Sequence, residues 1–432
     1  MNFKVQSSKF KVQNSIISIT GSKSETNRLL LLQALYPNII LENISNSDDS
    51  QVMIAALHSY LTFQPSGEID VHHAGTTMRF LTAFFAIQEG REVTLTGSAR
   101  MKERPIKILV DALRQLGAAI SYVENEGFPP LKIIGKKLTN NKVSLPANVS
   151  SQYISALLLI APKLENGLEL TLEGEITSIP YIKMTLALLN EIGVTTSFIN
   201  NKVVVNRQPT TDNRQPITIE SDWSSASYYY SIIALSEIGT QIELSSYKKN
   251  SLQGDSALVE IYKNFGVETT FHTNTVILSK VENLNINLNL NLNLNNSPDI
   301  AQTIAVTCFG LGIACHLTGL HTLKIKETDR LEALKTELVK LGATISITDD
   351  SLTLGENSPP LEGCPKGGVV KIATYQDHRM AMAFAPLALK TDLIIEDAEV
   401  VSKSYPAFWD DLKAIGFSFA PFGEASGQMK SQ

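Results

Sequence analysis

One pattern returns along this chain at a nearly fixed interval. An amphipathic helix stops at Gly and runs into a β-branched strand. The copies are DALRQLGAAISYV (Asp111–Val123), TLALLNEIGVTTSFI (Thr185–Ile199), ALVEIYKNFGVETTF (Ala257–Phe271), ALKTELVKLGATISI (Ala333–Ile347) and WDDLKAIGFSF (Trp409–Phe419). Their glycines, Gly117, Gly193, Gly266, Gly342 and Gly416, are 76, 73, 76 and 74 residues apart. Gly after the last helical turn supplies a left-handed cap, and the residues after it have strand composition. A sixth, weaker copy, DDSQVMIAALHSYLTF (Asp48–Phe63), lacks the Gly and lies closer. A fixed period of this kind means one supersecondary unit used repeatedly. Six units of about 72 residues account for the 432 residues of the chain.

A second helix type interleaves with the first. Each copy opens on a small polar cluster and continues almost wholly apolar: SKSETNRLLLLQAL from Ser22, GTTMRFLTAFFAI from Gly75, SSQYISALLLIA from Ser150, SSASYYYSIIAL from Ser224, PDIAQTIAVTCFGLGIA from Pro298 and DHRMAMAFAPLAL from Asp377. A helix that is apolar all round is buried. Each repeat therefore supplies a buried helix, a surface helix and several strands. The polar openings are ordinary N-caps, and they are also anion sites wherever several converge. Lys23, Arg28, Arg79, His378 and Arg379 lie in or beside these first turns, with His73 just before Gly75. Cations are unfavourable at that end of a helix unless an anion accompanies them, which favours the anion reading.

The formal net charge is −6, so backbone binding to a nucleic acid, which needs a basic surface, is not expected. A small anion held by local Lys and Arg is compatible with that charge. The longest apolar run, Ala156–Pro162, falls far short of the roughly 18 residues of a membrane span. The opening MNFKVQSSKFKVQN has no apolar core of a signal peptide. Cys308, Cys315 and Cys364 are odd in number and form no CxxC pair, which fits a reducing, cytoplasmic setting with the cysteines as small buried hydrophobes. No HxH or HExxH spacing occurs, so no metal site is expected. The repeat NLNINLNLNLNLNN (Asn283–Asn296) alternates at period two. It reads as a half-buried strand with a polar face, or a loop, without chemistry of its own.

Four clusters can carry chemistry. GSKSETNR (Gly21–Arg28) has a cationic helix start but not the GxxxxGK spacing of a nucleotide loop. RMKERP (Arg100–Pro105) is dense in cations, with Pro105 suited to the first position of the next helix. In KETDRLEAL (Lys326–Leu334), Arg330 lies about one turn from Lys326 and Glu327, which suits a carboxyl held among cations. A carboxyl so placed can pass a proton when an anionic substrate arrives. YQDHRMAMAF (Tyr375–Phe384) sets Asp377, His378 and Arg379 ahead of a buried helix.

GSKSETNR, AGTTMR, RMKERP, SSQY, SIPYI, QGD, SPDIA, KETDR, QDHRMAM and KSYP occur in that order from about Val12 to Phe417. Together they resemble the 5-enolpyruvylshikimate-3-phosphate (EPSP) synthase family, also called 3-phosphoshikimate 1-carboxyvinyltransferases. The resemblance implies an α/β (α+β) fold. It is a two-domain inside-out α/β barrel of six βαβαββ repeats, three per domain, with buried helices aimed at an interdomain cleft. Residues 1–20 and 246–432 would form one domain and 21–245 the other, with crossings near Thr20 and Ser245. The implied activity moves the enolpyruvyl group of phosphoenolpyruvate onto the 5-hydroxyl of 3-phosphoshikimate, without a cofactor, in a cytoplasmic monomer with no nucleic-acid or membrane partner.

Carried over residue by residue, the resemblance places phosphoenolpyruvate on Lys23, Gly75, Arg104, Gln152, Arg330, Arg379 and Lys403, with Arg100 a weaker candidate. It places phosphoshikimate on Lys23, Ser24, Arg28, Ser150, Ser151, Gln152, Ser178, Tyr181, Asp299, Thr322 and Lys326. Glu327 matches the proton donor and Asp299 the acceptor, with Lys23 beside it. His73, Phe80 and Thr322 depart from the family pattern, and the first two bear on the response to the analogue glyphosate. A sister class that transfers the same group to UDP-N-acetylglucosamine carries a Cys before its Arg-Pro, and Ser98–Glu103 contains none. A repeat protein binding RNA ends would need a basic stripe, and a binding module without chemistry would have lost Asp299 or Glu327.

Overall fold

A computed structural model describes residues 1–6, 15–62, 66–148, 150–174, 176, 179–211, 215–282, 289–356 and 369–421. The five repeat glycines all adopt left-handed backbone, with φ of 103° at Gly117, 91° at Gly193, 70° at Gly266, 93° at Gly342 and 105° at Gly416. Each ends a surface helix and turns the chain into an antiparallel strand pair, as the pattern requires.

The second helix type is buried along its length. Lys23–Leu35, Gly75–Ala86, Ser151–Ile160, Trp223–Leu235, Ala301–Leu311 and His378–Phe384 present few exposed side chains. Four of them connect two strands that pair in parallel, whereas Lys23–Leu35 and Trp223–Leu235 each lead from a strand of one sheet to a strand of another. In one repeat, Ser66–Asp70 runs parallel to Glu92–Thr96 with Gly75–Ala86 between them. Glu92–Thr96 pairs antiparallel with Leu131–Ile134, and that strand pairs antiparallel with Ala119–Tyr122. Burial alternates along these strands, so one face lies on the helices and the other on solvent. Five four-stranded sheets share this order.

The sixth repeat is reduced. Ile217–Thr218 pairs parallel with Leu41–Glu42 beside the buried helix Lys23–Leu35. Its surface helix Asp48–Thr62 is followed by Ser66–Asp70, the first strand of the next repeat. The strand pair that a Gly cap would introduce is missing there, which accounts for the absent Gly and the shorter interval.

The chain divides into two compact units with separate hydrophobic cores. One comprises Met1–Ile19, Trp223–Lys249 and Asp255–Gln432, and the other Thr20–Asp222 with Asn250–Gly254. The second crossing therefore falls at Asp222, not near Ser245. Trp223–Leu235 packs in the core that holds Val5 and Ile17, and Gln241–Ser245 pairs with Ser15–Ile17 and Thr275–Lys280. Asn250–Gly254 belongs to the other unit because Gln253 donates to Glu25 and to the Ser221 carbonyl, both at 2.9 Å, and Ser251 donates to Glu220 at 2.6 Å. Among the described residues, each unit holds three buried helices and three sheets.

In the Asn/Leu repeat, Asn289–Asn293 forms a strand parallel to Ala314–Thr318, with Leu290 buried and its asparagine neighbours exposed. Residues 283–288 lie outside the described residues. Cys308 and Cys315 are buried, and Cys364 lies outside the described residues. Among the described residues, no helix is long and apolar enough to cross a membrane.

Candidate active site

In the unit built on Thr20–Asp222, four helices that start at Lys23, Gly75, Ser151 and Ile179 pack on one another. Ser150 caps its helix by accepting from the Gln152 N–H at 3.4 Å, whereas Ser22 makes no side-chain cap and Ala74 has none to offer. The first-turn N–H groups after Ser22 and Ala74 are thus not occupied by a cap side chain. Lys23 sits there, its Nζ 3.2 Å from Asp49.

Arg28 is buried, and its hydrogen-bond acceptors among the described residues are neutral. It donates to Thr185 Oγ1 at 2.8 Å, Ser155 Oγ at 2.9 Å and the Ser24 carbonyl at 2.7 Å. The rings of Phe80 and Tyr181 flank its guanidinium at 5.5 and 5.8 Å. Burial pulls its pKa down to about 10, with Tyr181 and Glu25 opposing. A cation kept dry by hydroxyls and carbonyls gains most from an anion that reaches its remaining N–H groups.

Arg79 is buried in the same way. It donates to the carbonyls of Gly75 at 3.2 Å and Pro105 at 3.1 Å and to Met101 Sδ at 3.4 Å. Tyr153 also donates to the Pro105 carbonyl, at 2.6 Å. Burial and the neighbouring Arg104 pull Arg79 down to about 10. Held through Pro105, Arg104 lies flat against Gly75, where an added Cβ would meet its Nη1 at 2.5 Å. Gln152 donates to Thr76 Oγ1 at 2.9 Å, beside that glycine. Arg100 turns away: its side chain is 55% exposed and pairs with Glu103 at 2.9 Å. Pro105 is not the first residue of the next helix either. Ala99–Lys102 makes its own turn, capped by Ser98, and the next helix starts at Lys107.

In the other unit, Arg330 organises an acidic cluster. Asp329 caps the helix Arg330–Lys340 by accepting from the N–H groups of Leu331 and Glu332 at 3.1 and 3.2 Å. The fully buried Arg330 then donates to Asp377 at 2.6 Å, Asp299 at 2.9 Å and Glu327 at 2.8 Å. Lys326 stands 3.3 Å and Arg379 3.7 Å from Asp299. Burial pushes the Asp299 carboxyl up, but Lys326, Arg379 and Arg330 outweigh it and hold the group well below the usual carboxylate range. The Asp299 and Glu327 side chains are 12% and 27% exposed, so both can be reached by a ligand. Asp377 is sealed; it caps the helix His378–Phe384 through the Arg379 N–H at 2.8 Å.

Arg379 also donates to the Asp299 carbonyl at 3.1 Å and to Ser224 Oγ at 3.3 Å, and Ser224 donates to Asp255. Lys403 donates to the Gln376 carbonyl at 2.7 Å. Thr322 is half-buried in the turn His321–Ile325, and its hydroxyl has no hydrogen-bond partner among the described residues. Two partly exposed carboxylates on one guanidinium, with Asp299 also beside Lys326 and Arg379, form an arrangement suited to moving protons on an anionic substrate.

The sequence profile of the EPSP synthase (3-phosphoshikimate 1-carboxyvinyltransferase) family matches residues 59–412. The chain belongs to the EPSP synthase family. A 3-phosphoshikimate 1-carboxyvinyltransferase of Bacteroides fragilis (strain YCH46) is 47% identical over 405 residues, covering 93% of this chain and 95% of the relative. One from Histophilus somni (strain 2336) is 35% identical over 425 residues, covering 92% and 96%. The solved EPSP synthase of Acinetobacter baumannii shares the fold with a TM-score of 0.77, covering 97% of this chain and 99% of that one at 20% identity. The repeat count and the buried helices are those expected for an EPSP synthase fold.

Of the residues expected from sequence, Lys23, Ser24, Arg28, Gly75, Arg104, Ser150, Ser151, Gln152 and Tyr181 lie in one unit. Asp299, Thr322, Lys326, Glu327, Arg330, Arg379 and Lys403 lie in the other. Ser178 lies outside the described residues. Phe80, one of the residues that depart from the family pattern, sits against the Arg28 guanidinium. Asp377 was legible as the opening of a buried helix, because Asp before His-Arg at a helix start marks a cap, but not as the partner of Arg330. Ser155 and Thr185 carry no such signal, because small polar residues inside apolar helices look like core.

Proposed function

We propose that this chain transfers the enolpyruvyl group of phosphoenolpyruvate to the 5-hydroxyl of 3-phosphoshikimate. The products are 5-enolpyruvylshikimate 3-phosphate and phosphate, on the pathway to chorismate and the aromatic amino acids. The observation that carries the reading is the joint hold of Arg330 on Asp299 and Glu327. Glu327 delivers a proton to carbon 3 of phosphoenolpyruvate while the 5-hydroxyl oxygen attacks carbon 2. Asp299, kept ionised by its three cations, takes the hydroxyl proton, with Lys23 assisting. The resulting tetrahedral adduct loses phosphate from carbon 2 and a proton from carbon 3, which regenerates the double bond.

Phosphoenolpyruvate contacts Lys23, Gly75, Arg104, Gln152, Arg330, Arg379 and Lys403. Phosphoshikimate contacts Lys23, Ser24, Arg28, Ser150, Ser151, Gln152, Ser178, Tyr181, Asp299, Thr322 and Lys326. Fixed cations and dipoles balance the charge that develops, which is where such sites gain most of their rate. The protein works as a cytoplasmic monomer.

Phosphate release from phosphoenolpyruvate tests the reading. Release is expected with 3-phosphoshikimate and not with UDP-N-acetylglucosamine. Release with the nucleotide sugar instead, or with neither acceptor, overturns it.

A further inference from the structure

Glu337 lies seven residues after Arg330 on the same helix, two turns along the same face. It is fully buried. Its carboxylate accepts from Tyr375 Oη at 2.6 Å, from the Ala373 N–H at 3.1 Å and from Lys340 Nζ at 2.6 and 2.8 Å. The segment it grips joins the strand Val370–Ile372 to the cap Asp377. Within it, Tyr375 and Gln376 are both left-handed, with φ of 54° and 58°. Two consecutive non-glycine residues in that region persist only when their surroundings hold them there. The helix Arg330–Lys340 does so from both sides: Glu337 holds Ala373 and Tyr375, and Arg330 holds Asp377. The Gln376 carbonyl, presented by this strained turn, accepts from Lys403. Arg379 begins the helix that follows.

From this geometry we infer that Glu337, acting through Tyr375, is a positioning residue for phosphoenolpyruvate. It touches no substrate; it fixes the turn from which Arg379 projects and on which Lys403 rests. The inference rests on the function proposed above for Arg379 and Lys403. Phosphoshikimate is not expected to sense the turn to the same degree, because most of its assigned contacts lie elsewhere.

The test uses the full-length variants Glu337→Gln and Tyr375→Phe. Glu337→Gln sets an amide where a carboxylate received several donors, and Tyr375→Phe removes one hydroxyl. The KM for phosphoenolpyruvate is expected to rise roughly 10- to 100-fold in the first, as when a neighbour that orients a site is lost. In the second the rise is smaller, while the KM for 3-phosphoshikimate and kcat move by less than about threefold in both. Tyr375→Phe added to Glu337→Gln brings little further change, because both act through one contact. Equal rises in both KM values, or no change in a folded variant, overturn the inference.

Hydrogen exchange of the Ala373–Arg379 amides, read on the same proteins without substrate, separates the two readings. If the wild type shows no turnover, the proposed function fails on its own account. Faster exchange in Glu337→Gln then still supports the hold on the turn, and unchanged exchange overturns it.

Discussion

At the residue scale, the proposed chemistry depends on keeping one carboxylate ionised and a second within reach. Asp299 contributes stability because three cations lower its pKa in the folded state. A depressed carboxyl stabilises at pH values above its unfolded pKa of about 4, and the contribution disappears as pH falls through the folded value. Asp299→Asn should therefore lower the urea midpoint by a constant amount from pH 5 to 8, with the difference shrinking only below about pH 4. Turnover tells the two carboxylates' chemistry from their packing. Asp299→Asn and Glu327→Gln should each lower kcat by roughly 100-fold or more, the usual scale for a lost acid or base, with far smaller changes in substrate affinity. Near-normal turnover in either variant would remove that residue from its role.

At the element scale, the glycine caps are the most legible feature, because the need for positive φ is local and sequence records it directly. Gly193, at φ 91°, has open space where a Cβ would sit. Gly193→Ala should thus cost only backbone strain, about 1–2 kcal/mol by thermal or urea unfolding, with turnover unchanged at temperatures where the variant is folded. A loss well above that would mean the cap also carries packing. The buried helices were equally legible, from apolar residues on all sides. The partners of Arg28 were not: Ser155 and Thr185 lie 127 and 157 residues away in sequence, and nothing near them marks them as acceptors. The crossing at Asp222 was missed for a related reason. Trp223–Leu235 reads like the buried helices on either side of it, and only its place in the core with Val5 and Ile17 assigns it.

At the scale of the whole molecule, repeats close across gaps in the chain. Phe3–Gln6 lies between Leu393–Ile395 and Ser418–Pro421, so the sheet of the last repeat is completed by the first strand of the sequence. Phe3 packs edge-on against Trp409, 5.3 Å between ring centroids, and Phe419 meets the same Trp at 5.1 Å. Deleting Ser418–Gln432 should remove amide protection from Phe3–Gln6 in hydrogen exchange and leave that of Gly75–Ala86, in the other unit, unchanged. Persistent protection at Phe3–Gln6 would show that Leu393–Ile395 alone holds the strand.

The same closure sets an order of events on the ribosome. The strand Ser15–Ile17 leaves the exit tunnel long before Gln241–Ser245, its parallel partner, has been made. Thr20–Asp222, nearly all of one unit, is synthesised in between. Phe3–Gln6 waits longer still, for a neighbour about 390 residues downstream. At roughly 5–20 residues per second, that is about 20–80 s with an unpaired edge on a nascent chain. The strand is only four residues long and carries Lys4 in its middle, two features that discourage such an edge from pairing with the wrong chain.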